Sequence, residues 1–237
     1  MTNPIERIKG PIFELFDYFA GRSDIATVII SFFAVAVIIF VVFPIRECAR
    51  GLVAKLLGDD TAEQEGSLTL NPFAHIDPMG ALCMCICCIG WTKPVPVNIY
   101  RCKKVKARTA LALTSLAGPL ANILLSYIFI IILKVMLLFG IGSTTMLYVM
   151  IAISYAAELT IYLAVFNLIP VPPFDGAKIL MSFLPNKVLM NYEKIGRILY
   201  WVFFGALLLG FLDIPLNFLT NCIWQLLDWA SFFVSSF

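Results

Sequence analysis

The sequence predicts an all-α membrane protein: a multi-span helical bundle with a short β-like or re-entrant segment after the first span. Three observations carry this. Of 237 residues, 61% are hydrophobic and only 14% are charged, against about 25% charged in ordinary soluble domains. Mean hydropathy is +0.93, so a soluble core of this length has no room for the apolar surface, whereas a bilayer solvates it. Charge-free runs also recur that are long enough to cross a hydrocarbon layer of about 30 Å, which takes about 20 helical residues. The net charge of +2 is local rather than spread, so lipid is the predicted environment and nucleic acid is not a predicted partner.

Residues 1–24 form the first unit. They mix Glu6, Glu14 and Asp17 with Arg7, Lys9 and Arg22, which is not the pattern of a cleaved signal peptide. Phe13, Leu15, Phe16, Tyr18 and Phe19 predict a short interfacial helix. Residues 25–45 form the first span, with Asp24 as its N-cap. Its helical pattern runs on through Arg46-Glu47-Cys48-Ala49-Arg50 until Gly58-Asp59-Asp60, which places three charges at one end of a span. The stretch 59–78 is rich in turn signals, with Ser67-Leu68-Thr69-Leu70 as a candidate strand. Residues 79–91 are apolar but too few to cross, hence re-entrant or half-buried. Pro94 and Pro96 make the next segment extended. The cluster Arg101, Lys103, Lys104, Lys106 and Arg108 faces the cytoplasm by the positive-inside rule.

Residues 111–133 form the second span, with Gly118-Pro119 inside it and Lys134 snorkelling at its end. Residues 146–168 form the third, which contains Glu158 and breaks at Pro170-Val171-Pro172-Pro173. A short helix is predicted from Ile179. Lys187, Lys194 and Arg197 form a second cytoplasmic patch. Residues 198–212 are a shorter fourth span, and 216–237 cross the membrane or lie along it. The seven cysteines do not space like a disulfide scaffold. Cys83, Cys85, Cys87 and Cys88 are read as small apolar residues, and His75 as a structural hydrogen-bonding residue.

Charge at membrane depth is expensive and marks function. Arg46 and Arg50 share a helix face, with Glu47 beside them. Asn167-Leu168-Ile169-Pro170-Val171-Pro172-Pro173-Phe174-Asp175-Gly176 ends a span in rigid, irregular backbone and presents one carboxylate. Such backbone survives at membrane depth only when buried in protein or lining a cavity, so a polar centre between the two groups is predicted.

The Asn167-to-Gly176 segment resembles the N-x-x-P-x-P-x-x-D-G signature of the site-2 proteases, zinc metalloproteases that cut within membranes. Four more stretches are similar, in the family's order: the helix bearing Glu47; Gly66 to Asn71-Pro72 with His75-Ile76-Asp77-Pro78; Gly90-Trp91-Thr92-Lys93-Pro94-Val95-Pro96-Val97-Asn98; and Leu116-Ala117-Gly118-Pro119-Leu120-Ala121-Asn122. The resemblance implies a membrane core over 25–184, followed by C-terminal membrane helices over 185–237. It implies that Glu47 matches the general base of H-E-x-x-H and Asp175 the third zinc ligand, with Asn122 and Asn167 at cavity positions. Both zinc-binding histidines are matched by arginine, Arg46 and Arg50. Arginine offers no lone pair and stays protonated, so no cofactor is expected where the family holds zinc.

The expectation is therefore a pseudoprotease with Glu47 idle and the Asp175 ligand position empty. It would sit in the membrane of a bacterial cell, with single-span membrane proteins as clients. In place of the metal, Arg46, Arg50, Glu47 and Asp175 are expected to form a buried salt-bridged cluster; the plainer alternative is that both arginines snorkel to the headgroups. The alternative functions are an active metalloprotease with an atypical metal site, or a membrane carrier on the same scaffold.

Overall fold

The computed structural model describes residues 11–140 and 142–236 (side chains at 87, 190, 191, 193, 208, 235 and 236 aside). The reading of Glu6, Arg7 and Lys9, and of the Cys87 thiol, lies outside them. Helix α1 (Pro11–Phe19) precedes α2 (Ile25–Val37), whose start is capped by Asp24 accepting the Thr27 N–H at 2.8 Å. A π-helical turn over Ile38–Val42 joins α2 to α3 (Phe43–Leu56) without a break. In that turn the Phe43 N–H reaches back five residues to the Ile38 carbonyl. Gly58, at φ +106°, ends the run in a conformation that favours glycine.

Short helices α4 (Thr61–Gln64), α5 (Pro72–His75) and α6 (Pro78–Cys87) follow. The long helices α7 (Ala107–Leu138) and α8 (Thr144–Asn167) come next, then α9 (Asp175–Phe183), α10 (Asn186–Leu208), α11 (Asp213–Ala230) and a closing 3₁₀ turn, Phe232–Ser236. Among the described residues, three helices are long and apolar enough to cross a membrane: Ile25–Leu56, Ala107–Leu138 and Thr144–Asn167. The fold is an all-α membrane bundle. Helix α8 is its centre, buried continuously from Leu159 to Phe166. It packs on α7, α2 and α11, while α7 also touches α3 and α9.

The structure departs from expectation at three places. Ser67–Leu70 forms no strand; the sole β pairing among the described residues is an isolated bridge between Ile76 and Thr92. A strand needs a partner ladder, and here the Thr69 carbonyl is instead taken by the Cys48 thiol at 3.0 Å and by His75 Nε2 at 2.8 Å. The short helix begins at Asp175, not Ile179, because the backbone enters it directly after the proline run. Helix α10 begins at Asn186, well before the apolar stretch, since helix formation tolerates the Lys187, Lys194 and Arg197 that lower hydropathy. The Lys134 ammonium pairs with Asp228 Oδ1 at 2.9 Å and with the Asp228 carbonyl at 2.7 Å. That carbonyl lies in the last turn of α11, where a cation also meets the negative end of the helix dipole.

Candidate functional site

The polar centre is assembled by three elements. The continuous first helix supplies Arg46, Glu47 and Arg50, all buried: 6%, 0% and 8% exposed. Helix α7 supplies the wall. A Cβ on Gly118 would lie 3.3 Å from Arg46 Nε and 3.5 Å from Arg50 Nη2, so glycine lets α7 approach the guanidinium groups. The segment after α8 supplies Asp175, 3% exposed, in the first turn of α9.

Local sequence fixes that carboxylate. Helix α8 ends at Asn167, and the Pro172–Pro173 peptide is cis. Phe174 is extended, and the chain then folds back so tightly that a Cβ on Gly176 would lie 2.1 Å from the Leu168 carbonyl oxygen. Only glycine fits there. Phe174 packs edge-on against Phe166 at 4.7 Å and Phe203 at 5.2 Å between ring centroids, contacts worth about 0.5–1.5 kcal/mol each beyond the area they bury. Asp175 is thus held from both sides of its own backbone.

Arg50 Nη2 donates to Asp175 Oδ2 at 2.5 Å, and Arg46 Nη2 reaches the same oxygen at 3.3 Å. Lys178, one turn along α9, approaches Oδ1 at 3.4 Å from a half-exposed position. Glu47 lies 3.9 Å from Arg46 Nε and 3.6 Å from Arg50 Nη1. Its two oxygens are engaged from a distant part of the chain, Oε1 by the Thr92 hydroxyl at 2.8 Å and Oε2 by the Val95 N–H at 3.2 Å. Asn167 Oδ1 accepts from Arg46 Nη2 at 3.0 Å, and its Nδ2 donates to the Leu163 carbonyl at 2.6 Å.

Of the candidate site residues, Arg46, Glu47, Arg50, Asn122 and Asp175 are buried and Asn167 is half-buried. Arg46, Glu47, Arg50, Asn167 and Asp175 meet directly. Asn122 is fully buried one helical turn beyond Gly118, and neither end of its amide finds a partner among the described residues. Neither arginine Nε makes a hydrogen bond among the described residues. The arginines do not snorkel. Two charges cancel two, and Lys178 adds a positive rim.

Sequence reasoning missed Thr92 and Val95, which no local pattern ties to a glutamate more than forty positions away. It also missed Lys178, which helical spacing from Asp175 would have revealed had the helix been started at that residue. Among the described residues, no three His, Cys, Asp or Glu side chains come together as a metal-binding group.

Below this centre, toward the loops, a second carboxylate organises the connection to α7. Asp59 is fully buried and accepts from the Thr61 hydroxyl and N–H, at 2.5 and 3.1 Å, and from the Asn98 N–H at 2.6 Å. Burial pushes its pKa upward, but these hydrogen bonds, with help from Arg101, outweigh it and hold the carboxyl below its ordinary value.

Comparison with known proteins gives a consistent result. A family model described as peptidase family M50 matches residues 136–210, the stretch that holds Asn167 and Asp175. YwhC of Bacillus subtilis, by its name a candidate zinc metalloprotease, is 36% identical over 171 residues, covering 70% of this chain and 77% of its own. MJ0611 of Methanocaldococcus jannaschii, named in the same way, is 39% identical over 89 residues, or 38% of this chain and 43% of its own. No solved structure matches the chain significantly.

Proposed function

The chain belongs to peptidase family M50, the site-2 proteases, and from that premise we propose that it is a non-catalytic member, a pseudoprotease that holds single-span membrane helices without cutting them. It is a multi-pass membrane protein. The observation that carries the proposal is the contact between Arg50 and Asp175 at 2.5 Å. Zinc sites are built from deprotonated carboxylate, imidazole or thiolate donors, with one position left open for water. Here the Asp175 oxygen nearest the first helix is occupied by two guanidinium groups, and arginine has no lone pair to offer. The residues present do not fit zinc.

Glu47 points the same way. A general base needs an oxygen within reach of the proton it removes. Both Glu47 oxygens are instead engaged by Thr92 and Val95, so the carboxylate ties the extended segment after α6 to the first span. The four-charge cluster then serves as a cross-link between the first span and the end of the third. Clients are single-span helices, because what survives is a family scaffold that admits such helices, minus the chemistry.

Metal analysis of the detergent-purified chain tests this. The expected zinc content is far below stoichiometric, and about one zinc per chain, retained after dialysis, refutes the proposal. The double substitution Arg46→His with Arg50→His removes both cations and leaves Glu47 and Asp175 in place; it is expected to bind about one zinc per chain. Should it bind none, the claim that the family's cavity survives here is wrong.

A further inference from the structure

Away from the charged centre, α9, α10 and the proline segment form an open surface groove of about 430 Å³ lined by Pro172, Pro173, Met181, Gly196, Arg197 and Tyr200. Its walls are almost wholly apolar, and one cation stands at the rim. Gly196 makes the floor: a Cβ there would lie 3.0 Å from Pro172 Cγ, so α10 settles directly on the proline segment. The Tyr192 hydroxyl, donating to the Pro170 carbonyl at 2.7 Å, fastens the same helix one turn earlier. The groove is therefore built into the packing of α10 and is not a gap between loops.

We propose that this groove is a binding site for one anionic phospholipid, with an acyl chain between Met181, Tyr200 and the prolines and the phosphate against Arg197. Size selects the occupant. One turn of an α-helix is about 10–12 Å wide and 5.4 Å tall and fills roughly 400–600 Å³; the whole groove would hold no more than a single turn of a client helix, whereas an acyl chain is narrow enough to lie along it.

Charge selects the headgroup. Lys187, Lys194 and Arg197 are all exposed on the N-terminal half of α10. Arg108, from the basic cluster before α7, donates to the Leu184 carbonyl at 2.6 Å and to the Asn186 side chain at the start of the same helix. Both basic patches thus gather at one end of the bundle, the end that the positive-inside rule turns to the cytoplasm, where anionic lipid headgroups concentrate. The site is independent of whether the chain has lost its zinc. It lies on the segment that delivers Asp175, so its occupant braces the backbone that positions that carboxylate.

The test is native mass spectrometry of the full chain, offered phosphatidylglycerol or phosphatidylcholine with identical acyl chains. The wild type is expected to retain one phosphatidylglycerol about fivefold more than phosphatidylcholine, the preference that one basic residue near an anionic surface provides. Arg197→Gln should bring that ratio to about one, while Lys103→Gln, an exposed cation of the other patch, should leave it unchanged. Met181→Trp, which fills the groove, should lose both lipids. An unaltered ratio in Arg197→Gln overturns the proposal, as does an equal loss in Lys103→Gln. It also fails if a single-span peptide, not lipid, is retained and Met181→Trp abolishes that binding. If Met181→Trp does not fold, the two charge variants still decide.

Discussion

Removing the Asp175 carboxylate should be the most damaging single change at the charged centre. The wild-type cluster balances Arg46 and Arg50 against Glu47 and Asp175. Asp175→Leu leaves two buried cations facing one carboxylate at 3.6–3.9 Å. Breaking a buried pair by removing one partner costs about 3–5 kcal/mol, because the remaining charge is uncompensated. Scaled by about 2–4 °C per kcal/mol for a chain of this length, the expected fall in Tm is about 6–20 °C, read by thermal unfolding in detergent. Arg50→Leu should cost less, since Asp175 keeps Arg46 at 3.3 Å and Lys178 at 3.4 Å. The double change Asp175→Leu with Arg50→Leu restores neutrality between Arg46 and Glu47 and should recover about half or more of the loss. Glu63→Ala breaks the exposed Lys55–Glu63 pair and should cost no more than about 1 kcal/mol. If the double variant melts below Asp175→Leu, or if Asp175→Leu behaves like Glu63→Ala, the cluster is not the cross-link described.

Gly176→Ala places a Cβ 2.1 Å from the Leu168 carbonyl oxygen, a clash with backbone that cannot swing aside. It should destabilise by more than the about 1–3 kcal/mol of ordinary overpacking, seen as loss of folded yield in size-exclusion chromatography. Gly118→Val should drive α7 off Arg46 and Arg50 and lower Tm, whereas Gly118→Ala, whose nearest neighbours lie at 3.3–3.5 Å, should do so much less. Asp59 predicts a pH dependence. Its folded-state pKa lies below the unfolded value of about 3.9, so its contribution is full above that value and is lost as pH falls through the folded-state pKa. Unfolding measured from pH 6 down to pH 2.5 should show a smaller acid-induced drop in Asp59→Asn, which should already be weaker at pH 6; an unchanged acid slope counts against the assignment.

Much of this architecture is legible in the sequence because a bilayer imposes one-dimensional rules. Length and hydropathy alone place the three long helices to within a few residues, and Asp24 announces its own cap. The charged centre is nearly as legible. Positions 46, 47 and 50 share a face by helical spacing, and the proline-rich ending of the third span advertises buried irregular backbone. What stays hidden depends on long-range pairing. Ser67–Leu70 has strand-like residues, yet nothing local says that Cys48 and His75 will take the carbonyl a neighbouring strand would have used. Thr92 and Val95 gain meaning only when the extended segment folds against Glu47. Lys134 is a typical span-closing lysine until α11 arrives with Asp228.

The π-helical turn at Ile38–Val42 sets the angular phase of everything beyond it in the first span. A residue added to a helical turn offsets the following side chains by about 100° relative to an uninterrupted α-helix. The span therefore works as two rods joined out of step. One packs on α8 and buries Val28, Ala34 and Val35; the other turns Arg46 and Arg50 toward α7 and Asp175, and Glu47 toward Thr92 and Val95. Deleting a single residue within the turn would leave composition and hydropathy almost untouched, yet swing all three charges to new bearings. The same unfolding experiment would register it as a loss comparable with Asp175→Leu. Which residues meet at the heart of this bundle is thus a matter of timing along one helix as much as of the residues themselves.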